Sequence, residues 1–137
     1  MTEDVMEMRN GEQLMVECIV VGAGGFIGAV CRYLIGLIPF NEGCAFPIKT
    51  FLINIAGSFL IGIIAALAMK TDWLNPRTVL FLKAGICGGF TTFSSFALET
   101  GDLIKGGRAH IAALYAILSV VCGTAAVFAG QGIIRKG

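Results

Sequence analysis

Four long apolar segments, separated by short polar connectors, account for most of this 137-residue chain. They cover residues 14–38, 48–69, 77–98 and 109–134. Each is long enough to cross a membrane, because a helical span needs about 20 mostly apolar residues. Residues 1–13 are polar and acidic, and we interpret them as an extension outside the membrane. The pattern therefore predicts an all-α membrane protein with four transmembrane helices, in which residues 14–137 form one transmembrane domain.

The third apolar segment has a centre that a plain transmembrane helix would lack. Three glycines weaken the helix and four hydroxyl residues accompany them: Gly85, Gly88, Gly89, Thr91, Thr92, Ser94 and Ser95. Unpaired backbone groups are tolerated at membrane depth only where they are buried in protein or line a cavity. We therefore expect the third helix to be broken near its middle and the break to form part of a site. Carbonyl oxygens freed near residues 88–92 would suit a hard cation with a structural role.

Composition supports a membrane protein and excludes several other classes. Hydrophobic residues make up 56% of the chain and charged residues 14%, whereas soluble domains carry about 25% charged residues. A net charge of +1 disfavours nucleic acid as a partner, since phosphate binding needs a basic surface. The five cysteines are odd in number and form no C-x-x-C motif, so we interpret them as small buried apolar residues. The sequence contains no catalytic triad, metal-ligand cluster or phosphate loop, and we predict no enzyme.

The polar side chains at membrane depth are hydrogen-bond donors that do not titrate near neutral pH: Asn54, Thr91, Thr92, Ser94, Ser95, Tyr115 and Ser119. A donor-rich path suits a small anion, because the donors replace lost water and no fixed charge traps the ion. Phe93 and Phe96 share a helix face and could present electropositive ring edges to an anion, but plain packing explains the same spacing.

Two further polar residues each allow two interpretations. Arg32, near the end of the first segment, either extends its charge to the membrane surface, or is buried and holds an anion or ties down a helix end. Asn54 either forms an interhelical hydrogen bond that joins two helices, or directs its amide NH₂ into a pore.

The basic residues define the orientation in the membrane only weakly. With four spans both termini lie on one side, and lysines and arginines are almost balanced between the two sides. Such a weak bias permits insertion in both orientations, and hence an antiparallel dimer.

Three segments resemble the Fluc (CrcB-type) fluoride channels: residues 24–33 (GGFIGAVCRY), 50–62 (TFLINIAGSFLIG) and 85–96 (GICGGFTTFSSF). The likeness covers residues 14–134. It implies a passive, fluoride-selective channel that exports cytoplasmic fluoride across the inner or plasma membrane and confers fluoride resistance. It also implies a dual-topology antiparallel homodimer with two pores and a structural sodium ion at its centre.

The resemblance implies roles for individual residues. It assigns the fluoride pore to Asn54, Phe93, Phe96, Ser95, Tyr115 and Ser119, and the pore entrance to Arg32. It assigns the sodium ion to the backbone carbonyls of Gly88 and Thr91. The chain departs from the family in its acidic N-terminal extension, in Lys49, where glycine is usual, and in Gly123, where a hydroxyl could have extended the polar track.

Two other functions are consistent with four apolar segments. A dual-topology small multidrug exporter would couple export to protons through a carboxylate of its first helix, here Glu17. A membrane scaffold without transport is the third interpretation, and the hydroxyl-rich break in the third segment disfavours it.

Overall fold

A computed structural model describes residues 10–40 and 42–137, so most of the predicted N-terminal extension lies outside the described residues. Within the described ranges the secondary structure is helical, without β-strands. Four helical spans in these ranges are long and apolar enough to cross a membrane. The predicted all-α fold with four membrane-spanning helices is therefore confirmed.

The spans are built from six α-helices and one π-helical segment. Helix α1 covers Gly11–Gly36, α2 covers Ile48–Lys70, and α6, the fourth span, covers Ala109–Lys136. The third span consists of α3 (Pro76–Val79), a π-helical segment (Leu80–Cys87), α4 (Gly88–Phe90) and α5 (Phe93–Lys105).

The third span has a defined start and a defined end. Asn75 caps its first turn, because its Oδ1 accepts a hydrogen bond of 2.8 Å from the Thr78 amide, and Pro76 occupies the first helical position, where proline is favoured. The span continues to Lys105, beyond the predicted apolar limit at residue 98, because polar residues can extend a helix past the hydrocarbon region. Gly107, with φ of 74°, then allows the sharp turn into α6.

Two helix pairs form the scaffold, and both depend on backbone-to-backbone contact. Helix α1 packs on the first half of the third span, where a Cβ on Gly28 would collide with the Ile86 carbonyl. Helix α2 packs on α6, where a Cβ on Gly62 would collide with the Val127 carbonyl. Such close approach through small residues is the usual way in which membrane helices associate.

The outer surface of the chain is apolar. Large apolar side chains on all four spans are more than half exposed, among them Phe26, Phe93 and Phe128. Cys87 is buried, whereas Cys18, Cys31 and Cys44 are exposed free thiols, so the expectation of buried cysteines is wrong for these three. The reason for Cys18 and Cys31 is that a membrane lets apolar residues face outward, so an apolar segment need not bury its cysteines within the chain, whereas Cys44 lies in the connector between the first two spans.

Candidate functional site

The backbone of the third span is interrupted between α4 and α5. Thr91 (φ −78°, ψ 157°) and Thr92 (φ −149°, ψ 113°) are extended, and each uses its side chain at a helix end. Thr91 Oγ1 donates to the Cys87 carbonyl at 2.9 Å, while Thr92 Oγ1 accepts from the Ser95 amide at 3.2 Å as the N-cap of α5. The Thr92 hydroxyl therefore satisfies an amide that the interruption would otherwise leave unpaired, whereas the Cys87 carbonyl also accepts from the Thr91 amide at 3.0 Å.

Asn54 of α2 holds the interruption in place. Its Nδ2 donates to the Thr92 carbonyl at 3.1 Å, and its Oδ1 accepts from the Thr92 amide at 2.8 Å. Both backbone groups of Thr92 are thus paired with one side chain of a neighbouring span. The structure shows the interhelical bond that was one interpretation of Asn54, and these two bonds leave the second N–H of its amide available.

The same pairing changes the partners of nearby carbonyl oxygens. In a continuous α-helix the Gly88 carbonyl would accept from the amide of Thr92, and the Thr91 carbonyl from the amide of Ser95. Here the Thr92 amide donates to Asn54, and the Ser95 amide donates to Thr92 Oγ1. The carbonyls of Gly88 and Thr91 have therefore lost their helical donors.

Arg32 of α1 contacts the same region from the opposite side. Its Nε donates to the Gly89 carbonyl at 3.2 Å, at the end of α4. The guanidinium is partly buried and ties α1 to this helix end, which matches one of the interpretations of Arg32 from the sequence.

A cavity of about 350 Å³, which we call the central cavity, lies against the interruption. Its lining includes six of the residues to which the resemblance assigned roles: Asn54, Gly88, Thr91, Phe93, Phe96 and Ser119. The rings of Phe93 and Phe96 are 5.6 Å apart between centroids and tilted by 48°. Ser119 Oγ is buried and has no hydrogen-bond partner among the described residues. Leaving such a group unpaired costs about 1–3 kcal/mol, so a ligand in the cavity that accepts a hydrogen bond would recover this cost.

Tyr115 and Ser95 lie next to this lining but do not belong to it. Tyr115 is fully buried, and its ring packs against Phe96 with 5.0 Å between centroids. Ser95 Oγ accepts a hydrogen bond of 3.0 Å from Thr92 Oγ1, so this hydroxyl is part of the network at the start of α5.

Glu99 is a site residue that reasoning from the sequence missed. Its Oε2 accepts from the Tyr115 hydroxyl at 2.7 Å, and its Oε1 accepts from the buried Thr50 hydroxyl at 2.6 Å. The available signal was helical spacing, since Glu99 follows Phe96 by three residues and Thr50 precedes Asn54 by four. The spacing places Glu99 on the helix face of Phe96 and Thr50 on the helix face of Asn54, but it does not show that Glu99 and Thr50 contact each other.

Glu99 and Thr50 also line a second cavity, of about 180 Å³, which we call the outer cavity. It lies where α2 begins, and its lining includes Lys49. Lys49 Nζ donates to the Gly36 carbonyl at 3.0 Å and lies 5.7 Å from the centroid of the Phe40 ring. Phe96, Tyr115 and Glu99 thus form a continuous set of contacts between the central and outer cavities.

Glu17, the candidate carboxylate of a proton-coupled exporter, lies elsewhere. It lines a cavity of about 640 Å³ near the start of α1, together with Asn75, Arg77 and Thr78. This lining shares no residue with the central cavity. Where the structure describes the chain, it contains no cluster of three or more His, Cys, Asp or Glu side chains that could hold a metal ion. A cation bound near the interruption would therefore have to use backbone carbonyl, hydroxyl or amide oxygens.

Within the described residues, four helical spans can cross a membrane and three of them line a donor-rich cavity, which defines a multi-pass membrane protein. The family of CrcB-like proteins, described as camphor resistance (CrcB), matches residues 19–131, and the chain belongs to this family. A protein of Chlorobaculum tepidum is 49% identical over 118 residues, which cover 85% of this chain and 93% of the relative. A protein of Chlorobium luteolum is 46% identical over 82% of this chain and 87% of the relative. A protein of Ruminiclostridium cellulolyticum is 44% identical over 88% of this chain and 94% of the relative. All three are named fluoride-specific ion channel FluC. The family resemblance predicted from the motifs is confirmed, and the family is one of ion channels and not of enzymes.

Proposed function

We propose that this protein is a passive, fluoride-selective channel that exports cytoplasmic fluoride and so confers fluoride resistance. The names and the high coverage of its relatives support this function. Ser119 is the structural observation that carries the proposal, because its buried hydroxyl has no hydrogen-bond partner within residues 10–40 and 42–137 and Ser119 lines a cavity beside two phenylalanine rings.

Fluoride is small and strongly hydrated, so a path for it has to replace the water it loses. The Ser119 hydroxyl and the second N–H of Asn54 are donors in the central cavity. The edges of Phe93 and Phe96 are electropositive and stabilise an anion without binding it irreversibly. We propose that all four groups contact the ion.

We further propose that fluoride passes from the central to the outer cavity beside Phe96, Tyr115 and Glu99. The hydroxyls of Thr50 and Tyr115 donate to the Glu99 carboxylate and stabilise it, but its negative charge has to be offset by a cation nearby. Lys49 adds a positive charge at the outer cavity. The roles of Ser95 along the path and of Arg32 at its entrance stay predictions.

We propose that the functional unit is an antiparallel homodimer with two pores. Phe93 supports this arrangement, because it lines the central cavity and yet is 80% exposed in the single chain. A wall that includes such an exposed ring is incomplete, and a second copy would close it. The weak bias of basic residues between the two membrane sides permits the opposite orientations that this dimer requires.

We propose that a structural sodium ion binds at the centre of the dimer, on the carbonyls of Gly88 and Thr91. Both carbonyls have lost their helical donors to the bonds made by Asn54 and Thr92, and carbonyl oxygens are suitable ligands for a hard cation. The ion would join the interruptions of the two subunits. Replacing sodium by a large organic cation throughout purification should lower the thermal midpoint of the dimer, and an unchanged midpoint would count against the ion.

The experiment that tests the function is fluoride efflux from liposomes that hold the purified protein. A fluoride electrode should record fast release after valinomycin is added, because the channel needs a compensating potassium current. Liposomes loaded with chloride should release none. Well-folded protein that releases no fluoride would refute the proposal.

The exporter alternative is tested by Glu17→Gln. A channel whose path runs through the central cavity should keep its flux, since Glu17 lies in another cavity. Proton-driven export of an organic cation by the wild type, lost in the variant, would instead establish the exporter.

A further inference from the structure

Gly123 leaves an open position in the donor row of α6. It follows Ser119 by one helical turn, so a side chain at position 123 would share the face of Ser119. Glycine has no side chain, and the row on α6 therefore ends at Ser119. An anion that moves one turn along α6, about 5 Å, would leave the Ser119 hydroxyl without meeting another donor from that helix.

We propose that Ser58 of α2 supplies the missing hydroxyl and continues the fluoride path beyond Ser119. A Cβ built on Gly123 would lie 3.6 Å from Ser58 Oγ, so the serine hydroxyl occupies space next to the one that a side chain at position 123 would take. Ser58 also lines the central cavity together with Asn54 and Ser119. The inference rests on the proposed function, because it names a donor of the same path.

The register between α2 and α6 explains why Ser58 reaches this position. Both helices run in the same direction across the membrane, because the third span lies between them in the chain and returns it to the side where α2 began. Asn54 and Ser58 are one turn apart on α2, as Ser119 and Gly123 are on α6. The contact of Gly62 with Val127 repeats the same pairing one turn further along both helices. The donor row therefore changes from α6 to α2 at the turn where α6 has glycine.

The hydroxyl of Ser58 is available for an ion. No hydrogen bond joins it to another residue in the part of the chain that the structure describes. Its hydroxyl can donate to a fluoride ion and accept from water in turn, as a transient site of a conduction path requires. A structural serine in a membrane helix would more often bond to the carbonyl one turn before it.

The test moves the hydroxyl from one helix to the other. Ser58→Ala should reduce fluoride efflux from liposomes about tenfold, the effect expected for losing a hydrogen bond to a charged group. Adding Gly123→Ser to that variant places a hydroxyl next to the vacated position and should restore most of the flux. Thr124→Val is the matched control. Thr124 is an exposed hydroxyl residue next to Gly123 and lines none of the cavities described above, so removing its hydroxyl should leave efflux unchanged.

The outcomes separate the inference from the function on which it rests. Wild-type efflux in Ser58→Ala, or a double variant as slow as Ser58→Ala while both elute as folded dimers, would overturn the role of Ser58 and leave the channel intact. Recovery in the double variant supports the role and shows at once that the variant folds. Absence of efflux from the wild type in the same assay would overturn the proposed function and this inference with it.

Discussion

Asn54→Leu should loosen the interruption of the third span without changing the volume of the side chain much. Leucine can form neither the bond from Nδ2 to the Thr92 carbonyl nor the bond from the Thr92 amide to Oδ1. Both backbone groups of Thr92 would then lie half-buried at membrane depth without a protein partner. The backbone that positions Phe93 and Phe96 should consequently open more often.

The size of the effect follows from the two bonds. A neutral hydrogen bond contributes about 1 kcal/mol net, and interhelical side-chain bonds in membrane proteins average about 0.6 kcal/mol. Two bonds therefore stabilise the closed backbone by about 1–2 kcal/mol, and no more, because the adjacent cavity can admit water to the freed groups. Local opening should become about 5- to 30-fold more frequent.

Hydrogen–deuterium exchange of the segment 88–95, followed by mass spectrometry in lipid nanodiscs, measures this opening. Exchange in Asn54→Leu should be faster by the same factor, and fluoride efflux should fall. Asn75→Ala is the control, because Asn75 makes a comparable cap bond to Thr78 at the start of the same span and should affect only residues near 76–79. Unchanged exchange at 88–95 in folded Asn54→Leu protein would refute the reasoning.

Three other variants test the path and the scaffold. Phe96→Ile removes a ring edge and should reduce fluoride efflux at least about tenfold while the dimer elutes unchanged, and wild-type efflux would remove Phe96 from the path. Lys49→Gln should slow efflux several-fold at low ionic strength and hardly at about 1 M salt, where charges are screened within about 3 Å. Lys105 is an exposed cation on the same side of the membrane as Lys49, and Lys105→Gln should show wild-type efflux at both salt concentrations. If Lys49→Gln lost the same amount of efflux at both salt concentrations, an electrostatic role for Lys49 would be excluded. Gly28→Ala forces a Cβ into the backbone of the third span and should lower the free energy of unfolding by about 1–3 kcal/mol. A Cβ on Gly25 would meet no atom of the described residues within 4 Å, so equal thermal midpoints for Gly28→Ala and Gly25→Ala would contradict this packing.

The helical class and the number of spans could be predicted because they depend on local properties. Twenty apolar residues in a row cross a membrane in any fold, and the spans follow from segment length alone. The extended backbone at Thr91 and Thr92 also lies inside the glycine- and hydroxyl-rich stretch from which a break was expected. Glycines weaken a helix and hydroxyls cap its ends through neighbours in sequence, so this signal is local as well.

The hydrogen-bond partners of the polar side chains could not be predicted, because they depend on which sides of the helices pack against each other. Arg32 could have extended to the membrane surface, and only the packing of α1 on the third span brings it to the Gly89 carbonyl. Glu99 follows the apolar stretch and is unremarkable in the sequence. Its contacts with Thr50 and Tyr115 join three different spans, and no spacing along the chain encodes them.

The sequence by itself determined that this protein is a four-span membrane protein, and its motifs determined the family to which it belongs. It also supplied the donors from which a path for a small anion can be built. Only the tertiary structure decided which donors are already paired and which are available. Asn54 is bonded to Thr92 and Tyr115 to Glu99, whereas the buried Ser119 hydroxyl has no partner in the part of the chain that the structure describes. The physical reason is that a hydrogen bond needs a distance of about 3 Å, and helix packing, not residue order, brings two groups that close.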